Sequence, residues 1–446
     1  MAHWKLATFL AIAVAYASAL EVRHVRSSRA AVSSGIELPV APFSVPLTDK
    51  VPRSSAKKRM LRELRAGARS NVAVVAGAAD DEEYLTDITI GGQDFKVVVD
   101  TGSSDTFLAG IGFQCFSLAD VPVPEADCFF GTAGFDISKS ETFVPFPDTN
   151  FNISFADAEF LTGSVGFDTI TVGGLTVTQQ EFGVVTAAAW NGDTISTGLM
   201  GLAFPTLTSV FNGTDPDADE TAAHLLYNPF FFSAVQQKAV DAPFFSVALN
   251  RGTFAKEANS TLDPNLGFLA FGGIAPVAVT KTSTTVPVQG FATSSGASEI
   301  FFYAVDVEQV TFPGSTAKTT INAPSILDTG TTLNLVPTNI AKEFNARFKP
   351  PATFVEDEDT YFVDCNAIAP TFSIKIGGQE FAVDGRDQIV PSLDENNNLV
   401  CISGTQDGGP DEEGNFFVLG DVFLHNVVAT FDISKNDITL TERASY

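Results

Sequence analysis

From Tyr84 onward the chain alternates short apolar runs with turns rich in glycine, asparagine and aspartate. Alternation with a period of two residues, broken by such turns, is typical of β-strands. Three of these runs end in a Gly-Gly turn, in residues 88–92, 170–174 and 372–378. Only two stretches are predicted to be helical, residues 229–240 and 338–347. The pattern therefore predicts an all-β protein with few helices.

Two apolar runs end in the same motif, Asp-Thr-Gly followed by a hydroxylated residue, at Asp100 and at Asp328. Burying a carboxylate at a strand end costs free energy unless hydrogen-bond donors surround it. The glycine supplies backbone freedom, and the neighbouring hydroxyl groups supply donors. The repeat therefore indicates two equivalent buried acids. The alternative is a pair of structural turns in which each aspartate accepts from its own backbone.

The two halves of the chain echo each other beyond this motif. In each half, two apolar residues and a glycine follow the motif at a similar distance, as Leu199-Met200-Gly201 and Val418-Leu419-Gly420. The repetition predicts two β-rich lobes with a cleft between them, each lobe sending one aspartate to the interface. A strand-like run gives way to a polar loop near Asn250. We therefore predict an N-terminal lobe over residues 79–250 and a C-terminal lobe over residues 251–446.

Charge is distributed unevenly along the 446 residues, whose net charge is −27. The first 80 residues hold 12 of the 26 Lys and Arg residues but only 5 of the 53 Asp and Glu residues. A body this acidic does not favour nucleic acid as a partner, because phosphate binding needs basic surface. Such a surface keeps its charge until the pH is quite low, which fits a protein that works in acid.

The N-terminus has the features of a secretory signal peptide over residues 1–19. A lysine precedes a short apolar core, and small residues follow at the expected cleavage site. The core is too short to span a membrane, and no later stretch is long enough to do so. Secretion agrees with three glycosylation sequons, at Asn152, Asn212 and Asn259. We expect an extracellular protein, with a vacuolar location as the alternative.

The four cysteines fall into two local pairs, Cys115 with Cys128 and Cys365 with Cys401. An oxidising secretory route would close both pairs as disulfides. Four cysteines allow three pairings, so the local pairing is an inference. A zinc site is the alternative, although the spacing lacks a Cys-x-x-Cys motif.

Residues 20–78 are basic, in contrast to the acidic body that follows. A solvated tail is one explanation of this contrast. We favour a propeptide that lies across an acidic cleft and inhibits the protein from within the same chain. Lys57 or Lys58 could reach between the two aspartates and leave on acidification.

Two carboxyl groups that meet at a lobe interface cannot easily both be ionised, because like charges repel strongly in a buried site. They share one proton, so one apparent pKa rises and the other falls. The ionised group can then act as a general base on water while the protonated group donates to a carbonyl oxygen. Such a pair can split an amide without a metal, a cofactor or a covalent intermediate.

From Tyr84 to the end, the chain resembles the pepsin-family (A1) aspartic endopeptidases, and most closely the secreted fungal, polyporopepsin-like members. Sharing of one proton by two carboxyl groups is the known behaviour of that family. The resemblance rests on the two Asp-Thr-Gly motifs, the two cysteine pairs, and the segments 198–204, 271–273, 418–423 and 431–432. It implies a bilobal pepsin-like fold with the active-site cleft between the lobes.

The resemblance also implies roles for the motif residues. Asp100 and Asp328 would hold the catalytic water between them. The support residues would be Thr101, Gly102 and Ser103 in the first loop, and Thr329, Gly330 and Thr331 in the second. In the family, the hydroxyls after the glycines bond the outer carboxylate oxygens, the threonines brace the loops, and the glycines let backbone amides approach.

The predicted substrate-binding flap departs from the family pattern. Phe155, Ala156, Asp157 and Ala158 stand where relatives have Tyr-Gly-x-Gly, and Phe107 stands where they usually have Trp. Both polar partners of one hydrogen-bond chain are missing together, which can be nearly neutral. Asp157 either pairs with a substrate lysine, as in some fungal relatives, or is a solvated turn residue.

The sequence therefore predicts a monomeric, secreted zymogen of an acid endopeptidase that cleaves peptides and proteins between mainly hydrophobic residues. A non-catalytic binding protein on the same fold is the first alternative, which the altered flap favours and the intact motifs disfavour. A glycoside hydrolase with paired carboxylates is the second. The presence of only two tryptophans disfavours it.

Overall fold

The computed structural model describes most of the chain from residue 23 onward. The described residues are 23–25, 31–33, 38–49, 84–131, 134–154, 159–220, 223–252, 266–292, 297–314, 320–356, 358–393, 398–412 and 415–446. The predicted signal peptide and both candidate inhibitory lysines lie outside these ranges.

Strands dominate the described residues. The N-terminal segment contains β1 Arg23–Val25, β2 Val32–Ser33, β3 Phe43–Pro46 and β4 Thr48–Asp49. The first half continues with β5 Tyr84–Ile90, β6 Gln93–Asp100, β7 Thr106–Phe116, β8 Pro122–Val123, β9 Val144–Pro145, β10 Thr149–Ser154, β11 Phe160–Val172, β12 Leu175–Ala189, β13 Gly198–Gly201, β14 Val210–Asn212 and β15 Phe244–Leu249.

Among the described residues, the second half adds eighteen strands. They are β16 Gly267–Phe271, β17 Val279–Pro287, β18 Gly290–Ala292, β19 Ser298–Glu299, β20 Ala304–Val305, β21 Gln309–Thr311, β22 Ser325–Leu327, β23 Asn334–Val336, β24 Thr353–Val355, β25 Thr360–Val363, β26 Phe372–Ile376, β27 Gln379–Val383, β28 Ile389–Leu393, β29 Leu399–Ser403, β30 Thr405–Asp407, β31 Phe417–Leu419, β32 Val427–Asp432 and β33 Asp437–Arg443. The all-β prediction is confirmed.

Three α-helices are described: α1 Phe230–Gln236, α2 Thr338–Asn345 and α3 Asp421–Leu424. The first two lie where helices were predicted, within 229–240 and 338–347, and each is shorter than predicted. Helix α1 ends because Lys238 has a left-handed φ of 58°, which no helix continues. Helix α3 was not predicted, since four residues are too few for a periodic pattern.

The Gly-Gly turns of the sequence all form hairpin connections. They join β5 to β6, β11 to β12, and β26 to β27. Their glycines have φ values between 56° and 86°. Only glycine adopts such angles without a steric penalty, so the turn prediction followed directly from residue type.

The first half is built on an 11-stranded sheet whose main path runs β14-β10-β11-β12-β7-β13-β6-β5-β4. Short strand β13 lies parallel to β6 and antiparallel to β7. It therefore flanks the strand that ends at Asp100. The corresponding sheet of the second half runs β20-β22-β31-β23-β30, and β31 lies parallel to β22, whose last residue precedes Asp328.

A seven-stranded sheet, ordered β2-β17-β33-β32-β15-β16-β3, joins the two halves. Strand β15, at the predicted lobe boundary, pairs with β32 from the end of the chain. Buried rings reinforce this junction. Phe245 stacks on Phe431 with ring centroids 4.9 Å apart, and Tyr303 lies 4.4 Å from Phe431 and 4.9 Å from Phe204.

The described part of the N-terminal segment is integrated into these sheets. Strand β3 pairs with β16, and β4 pairs with the start of β5. The Leu47 N–H donates to Gly267 O at 2.9 Å, and the Leu47 carbonyl accepts from Leu266 N at 3.0 Å. The Leu47 side chain is completely buried. Residues 38–49 therefore cover the edge of the shared sheet.

We expect Leu47→Ala to destabilise the full-length chain by about 2–5 kcal/mol, because it removes buried apolar volume and leaves a cavity. Thermal or urea unfolding at pH 5 measures the change. Leu226→Ala is the matched control, since Leu226 is 59% exposed and its loss should matter little. Equal effects of the two variants would contradict the docking of residues 38–49.

Candidate active site

The two Asp-Thr-Gly motifs come together at the junction of the halves. Strand β6 ends at Asp100, and β22 ends one residue before Asp328. Both side chains are buried, with 4% of each residue exposed. Gly201 of β13 lies opposite Asp100, and Leu419 of β31 lies opposite Leu327. The apolar-apolar-glycine segments therefore flank the acids in equivalent positions.

Each carboxylate accepts two hydrogen bonds from its own loop. Asp100 Oδ1 accepts from Gly102 N at 2.7 Å, and its Oδ2 accepts from the Ser103 hydroxyl. Asp328 Oδ1 accepts from Gly330 N at 2.8 Å, and its Oδ2 accepts from the Thr331 hydroxyl at 2.8 Å. The same pattern in both loops shows that the sequence repeat corresponds to a repeat of geometry.

The two threonines fasten the loops to each other. The Thr329 hydroxyl donates to Val99 O at 2.8 Å and accepts from Thr101 N at 3.1 Å. The Thr101 hydroxyl donates to Leu327 O at 2.9 Å and accepts from Thr329 N at 3.0 Å. These four bonds are reciprocal and buried, so neither loop can shift without breaking bonds of the other.

Close approach of the carboxyl groups requires the two glycines. A Cβ atom on Gly102 would lie 2.5 Å from Asp328 Oδ1, and one on Gly330 would lie 2.6 Å from Asp100 Oδ1. Any side chain at either position would therefore collide with the opposite acid. Gly102 therefore packs on Asp328 while its N–H donates to Asp100. Gly330 packs on Asp100 while its N–H donates to Asp328.

Burial and the opposite acid together perturb the pair. Loss of solvent is the largest effect on Asp100, followed by the negative charge of Asp328, and both raise the pKa of Asp100 well above its usual range. The Ser103 and Gly102 hydrogen bonds act in the opposite direction without cancelling it. Two acids in this environment retain a shared proton in acid.

A cluster of aromatic side chains packs within the first half. Phe107 is buried, and its ring meets Trp190 edge-on with a centroid distance of 6.0 Å. Trp190 stacks on Phe130 at 5.8 Å. Phe107 also lies 5.7 Å from Phe151, so the ring that replaces the family's tryptophan packs in an apolar cluster.

The predicted flap residues, Phe155, Ala156, Asp157 and Ala158, lie outside the described residues. The strands beside them form the expected hairpin, with Ser154 opposite Phe160. Glu159 is buried, and its Oε1 accepts from Asn191 N at 2.7 Å. This bond ties the loop end of the hairpin to the segment that carries Trp190.

The disulfide prediction is confirmed for both pairs. Cys115 bonds to Cys128 and Cys365 bonds to Cys401, with Cα separations of 5.8 Å and 5.2 Å. The zinc alternative is therefore wrong for these cysteines. Among the residues described, no group of three or more His, Cys, Asp or Glu side chains is placed to hold a metal ion.

The sequons differ in their surroundings. Asn152 is half-buried, and its Nδ2 donates to Pro216 O at 3.0 Å and to Asp219 Oδ2 at 2.9 Å. A glycan on that nitrogen would displace one of the two bonds. Asn212 is exposed at the end of β14, and Asn259 lies outside the described residues. Glycosylation of all three remains a prediction.

Comparison with known proteins agrees with this geometry. A family model described as eukaryotic aspartyl protease matches residues 83–443. The chain belongs to this family. It is 35% identical over 408 residues to a probable aspartic-type endopeptidase of Aspergillus fumigatus, covering 90% of this chain and 88% of the relative.

Two further comparisons extend the agreement. Identity to penicillopepsin-3 of Penicillium janthinellum is 31% over 378 residues, covering 83% of this chain and 81% of that protein. The crystal structure of the aspartic proteinase from Irpex lacteus aligns with a TM-score of 0.62 and 17% identity, over 90% of this chain and 97% of the other. The pepsin-like fold is thereby confirmed, and the protein is an aspartic-type endopeptidase.

In this aspartyl protease, no helix among the described residues is both long and apolar enough to cross a membrane.

Sequence reasoning missed one acid at the foot of the first loop. Asp105 is buried, and its Oδ1 accepts from the Tyr227 hydroxyl at 2.7 Å and from Ser209 N at 2.9 Å. Its Oδ2 has no hydrogen-bond partner within the described ranges. Burial raises the pKa of Asp105 from 3.8 to about 6. The half-buried Glu181 lies near enough for the charge of Asp105 to add to burial in raising its pKa to about 7.

The only feature of the sequence that points to Asp105 is its position, five residues after Asp100 in the same polar loop. Nothing in the residue pattern indicated that the partners would be Tyr227 and Ser209. They come from more than 100 residues further along the chain.

We expect Thr329→Val to lower the free energy of unfolding by about 2–3 kcal/mol, because the buried Thr101 N–H and Val99 carbonyl lose a partner. Valine keeps the shape of threonine, so packing changes little. Urea unfolding at pH 4 measures the loss. The exposed Thr186→Val is the control and should change stability by less than about 0.5 kcal/mol. A Thr329→Val variant as stable as the control would show that the bonds between the loops contribute nothing.

We expect Asp105→Asn to stabilise the protein at neutral pH but not in acid. The folded pKa of about 6 exceeds the ordinary value of 3.8. Stability linked to this proton is therefore present below about pH 4 and is lost as the pH rises through 6. The variant should match wild type at pH 4 and gain up to about 3 kcal/mol at pH 7.5. Thermal unfolding at both pH values measures this, with the exposed Asp241→Asn as control. An equal gain at both pH values would contradict ionisation as the cause.

Proposed function

We propose that the protein is a secreted endopeptidase, made as a zymogen, that cleaves peptide bonds between mainly hydrophobic residues at acidic pH. Asp100 and Asp328 hold the attacking water between them. One observation carries the proposal: two buried carboxyl groups meet in mirrored hydrogen-bond settings, where Asp100 has a raised pKa. Such a pair holds one proton and one negative charge in acid.

The reaction then needs only the two acids and water. The ionised carboxylate removes a proton from the water molecule as the water oxygen bonds to the peptide carbonyl carbon. At the same time, the protonated carboxyl group donates its proton to the carbonyl oxygen. In the tetrahedral species, a proton moves to the amide nitrogen as the carbon–nitrogen bond breaks. The products are a carboxylic acid and an amine, and the dyad returns with one proton.

The support residues keep this pair in place throughout. Ser103 and Thr331 hold the outer carboxylate oxygens, and the N–H groups of Gly102 and Gly330 hold the other pair of oxygens. Because these donors are preorganised, the loops need not reorient as charge moves during the reaction.

A preference for hydrophobic residues is what the resemblance to the pepsin family implies, and the half-buried Trp190 and Phe130 rings offer apolar surface in the first half. Apolar substrate side chains gain free energy by leaving water for such a surface. The flap residues Phe155, Ala156, Asp157 and Ala158 would close over the cleft and complete this surface.

Synthesis as a secreted zymogen is supported by several features together. The signal-like residues 1–19 precede a basic segment, and both disulfides need an oxidising compartment. Residues 38–49 of the proposed propeptide, 20–78, dock on the sheet shared by the two halves. The basic residues that follow would then lie over the acidic cleft at neutral pH and leave in acid. Release outside the cell and delivery to a vacuole both follow this route.

The decisive experiment acidifies the full-length precursor in the presence of denatured haemoglobin, with and without pepstatin. We expect cleavage below about pH 5 that pepstatin blocks and that Asp100→Asn abolishes. The matched control is Asp87→Asn, a surface acid paired with Lys96, which should retain activity. Full activity of the uncleaved precursor at neutral pH would contradict the zymogen proposal. Cleavage that survives Asp100→Asn would contradict the role of the dyad.

A further inference from the structure

A buried histidine bridges the two halves beneath the catalytic loops. The His425 Nε2 atom lies 2.6 Å from the Tyr84 hydroxyl oxygen, and its Nδ1 lies 3.2 Å from Asp387 Oδ1. The Tyr84 hydroxyl also donates to Asn250 O at 2.9 Å. Tyr84 begins β5 in the first half, whereas Asp387 and His425 belong to the second half.

The protons in this chain of contacts can be assigned from donor and acceptor chemistry. The tyrosine hydroxyl has one proton, and its bond to Asn250 O uses that proton. The Tyr84 oxygen must then accept at the 2.6 Å contact, so Nε2 of His425 carries a proton. An ionised Asp387 can only accept, so Nδ1 carries one as well. Both ring nitrogens are protonated when all three bonds form.

The carboxylate partner is held in its ionised form. Arg251 Nε and Nη2 donate to Asp387 at 2.6 Å and 2.7 Å, and Asn426 Nδ2 donates at 2.8 Å. Burial opposes ionisation, but the His425 and Arg251 interactions outweigh it and lower the pKa of Asp387 to about 2. Asp387 therefore remains charged across the acid range in which the protease is proposed to act.

Further charged groups lie close to Asp387. Arg251 lies 4.0 Å from Asp384, which binds Arg386 at 2.7 Å. Arg251 and Arg443 both lie over the Tyr446 ring, at 4.7 Å and 3.9 Å. Two arginines therefore surround the histidine site, and Asp387 stands between the imidazole ring and Arg251.

The bridge connects to both catalytic loops through backbone hydrogen bonds. His425 follows α3 and donates its N–H to Asp421 O at 2.8 Å, and Asp421 N donates to Thr331 O at 2.9 Å. Thr331 in turn bonds Asp328. On the other side, β5 pairs along its length with β6, which ends at Asp100.

We propose that His425, as an imidazolium, is a positioning residue that ties the Asp100 strand to the Asp328 loop, and that this tie weakens as the pH approaches neutrality. Acid thus protonates His425 as well as the pair of catalytic aspartates. Once the imidazolium loses its Nε2 proton, Tyr84 must donate to that nitrogen and gives up Asn250 O. The bond between Tyr84 and His425 then persists with its direction reversed, but it loses the positive charge of the ring, and Tyr84 loses its bond to Asn250 O.

The first test measures stability and needs no proteolysis. The Asp100→Asn variant, which should not cleave itself, serves as the parent protein. Its thermal unfolding is compared from pH 5 to pH 8 with that of the Asp100→Asn/His425→Gln double variant. A free histidine loses its proton near pH 6.5, so the stability advantage of His425 should be full below that pH. At higher pH this advantage should decrease. Between the pKa values of His425 in the unfolded and the folded chain, each pH unit should reduce the folding equilibrium constant about tenfold relative to the variant.

His224→Gln is the matched control. Burial lowers the pKa of His224, so its contribution to stability has the opposite dependence on pH. Its replacement should make the protein relatively more stable in acid, whereas His425→Gln should make it relatively less stable in acid. A pH-independent effect of His425→Gln would overturn the proposal. Should that variant fail to fold, Tyr84→Phe gives the same test, because it removes the acceptor of the Nε2 proton.

The second test rests on the proposed function and uses denatured haemoglobin as substrate. We expect the activated His425→Gln enzyme to lose several-fold in kcat at pH 4 with little change in KM, since the catalytic loops are displaced while no residue proposed to bind the substrate is changed. Tyr84→Phe should add little to that loss in the double variant. Additive losses would show that Tyr84 and His425 do not act through the same contact, and would overturn the proposal. Absence of all activity in wild type at acidic pH would refute the proposed acid activity and leave the stability result standing.

Discussion

The repulsion between two buried acids is the constraint on which the site depends. Asp100 and Asp328 can approach only because both loops place glycine where any side chain would collide with the opposite carboxyl group. Thr101 and Thr329 exchange four buried hydrogen bonds across the junction. Proximity of the acids is thus maintained by contacts that belong to both halves.

The sheets transmit this constraint to the rest of the molecule. Each acid follows a strand that lies beside a short parallel strand, β13 in one half and β31 in the other. Beneath them, the seven-stranded sheet combines strands from the N-terminal segment, the middle of the chain and the end of the chain. Buried rings such as Phe245 and Phe431 pack on it. Loop position therefore depends on the pairing of distant segments.

Acids in this protein titrate according to the donors around them. Asp105 has burial as its dominant influence and an oxygen without a described partner, and its pKa rises to about 6. Asp387 is also buried, but Arg251, Asn426 and His425 supply donors and positive charge, and its pKa falls to about 2. Both settings suit an acidic medium, since the first acid is neutral there and the second keeps its charge.

The sequence by itself determined what local residue types impose: the Gly-Gly hairpins, the strand pattern and the two Asp-Thr-Gly loops. These follow from backbone angles and short-range spacing. Tertiary structure decided the docking of residues 38–49 on the shared sheet, the Tyr227 and Ser209 partners of Asp105, and the Tyr84–His425–Asp387 bridge. Such contacts join residues up to 341 positions apart. No local pattern encodes them, because they depend on which strand edges meet when the halves fold together.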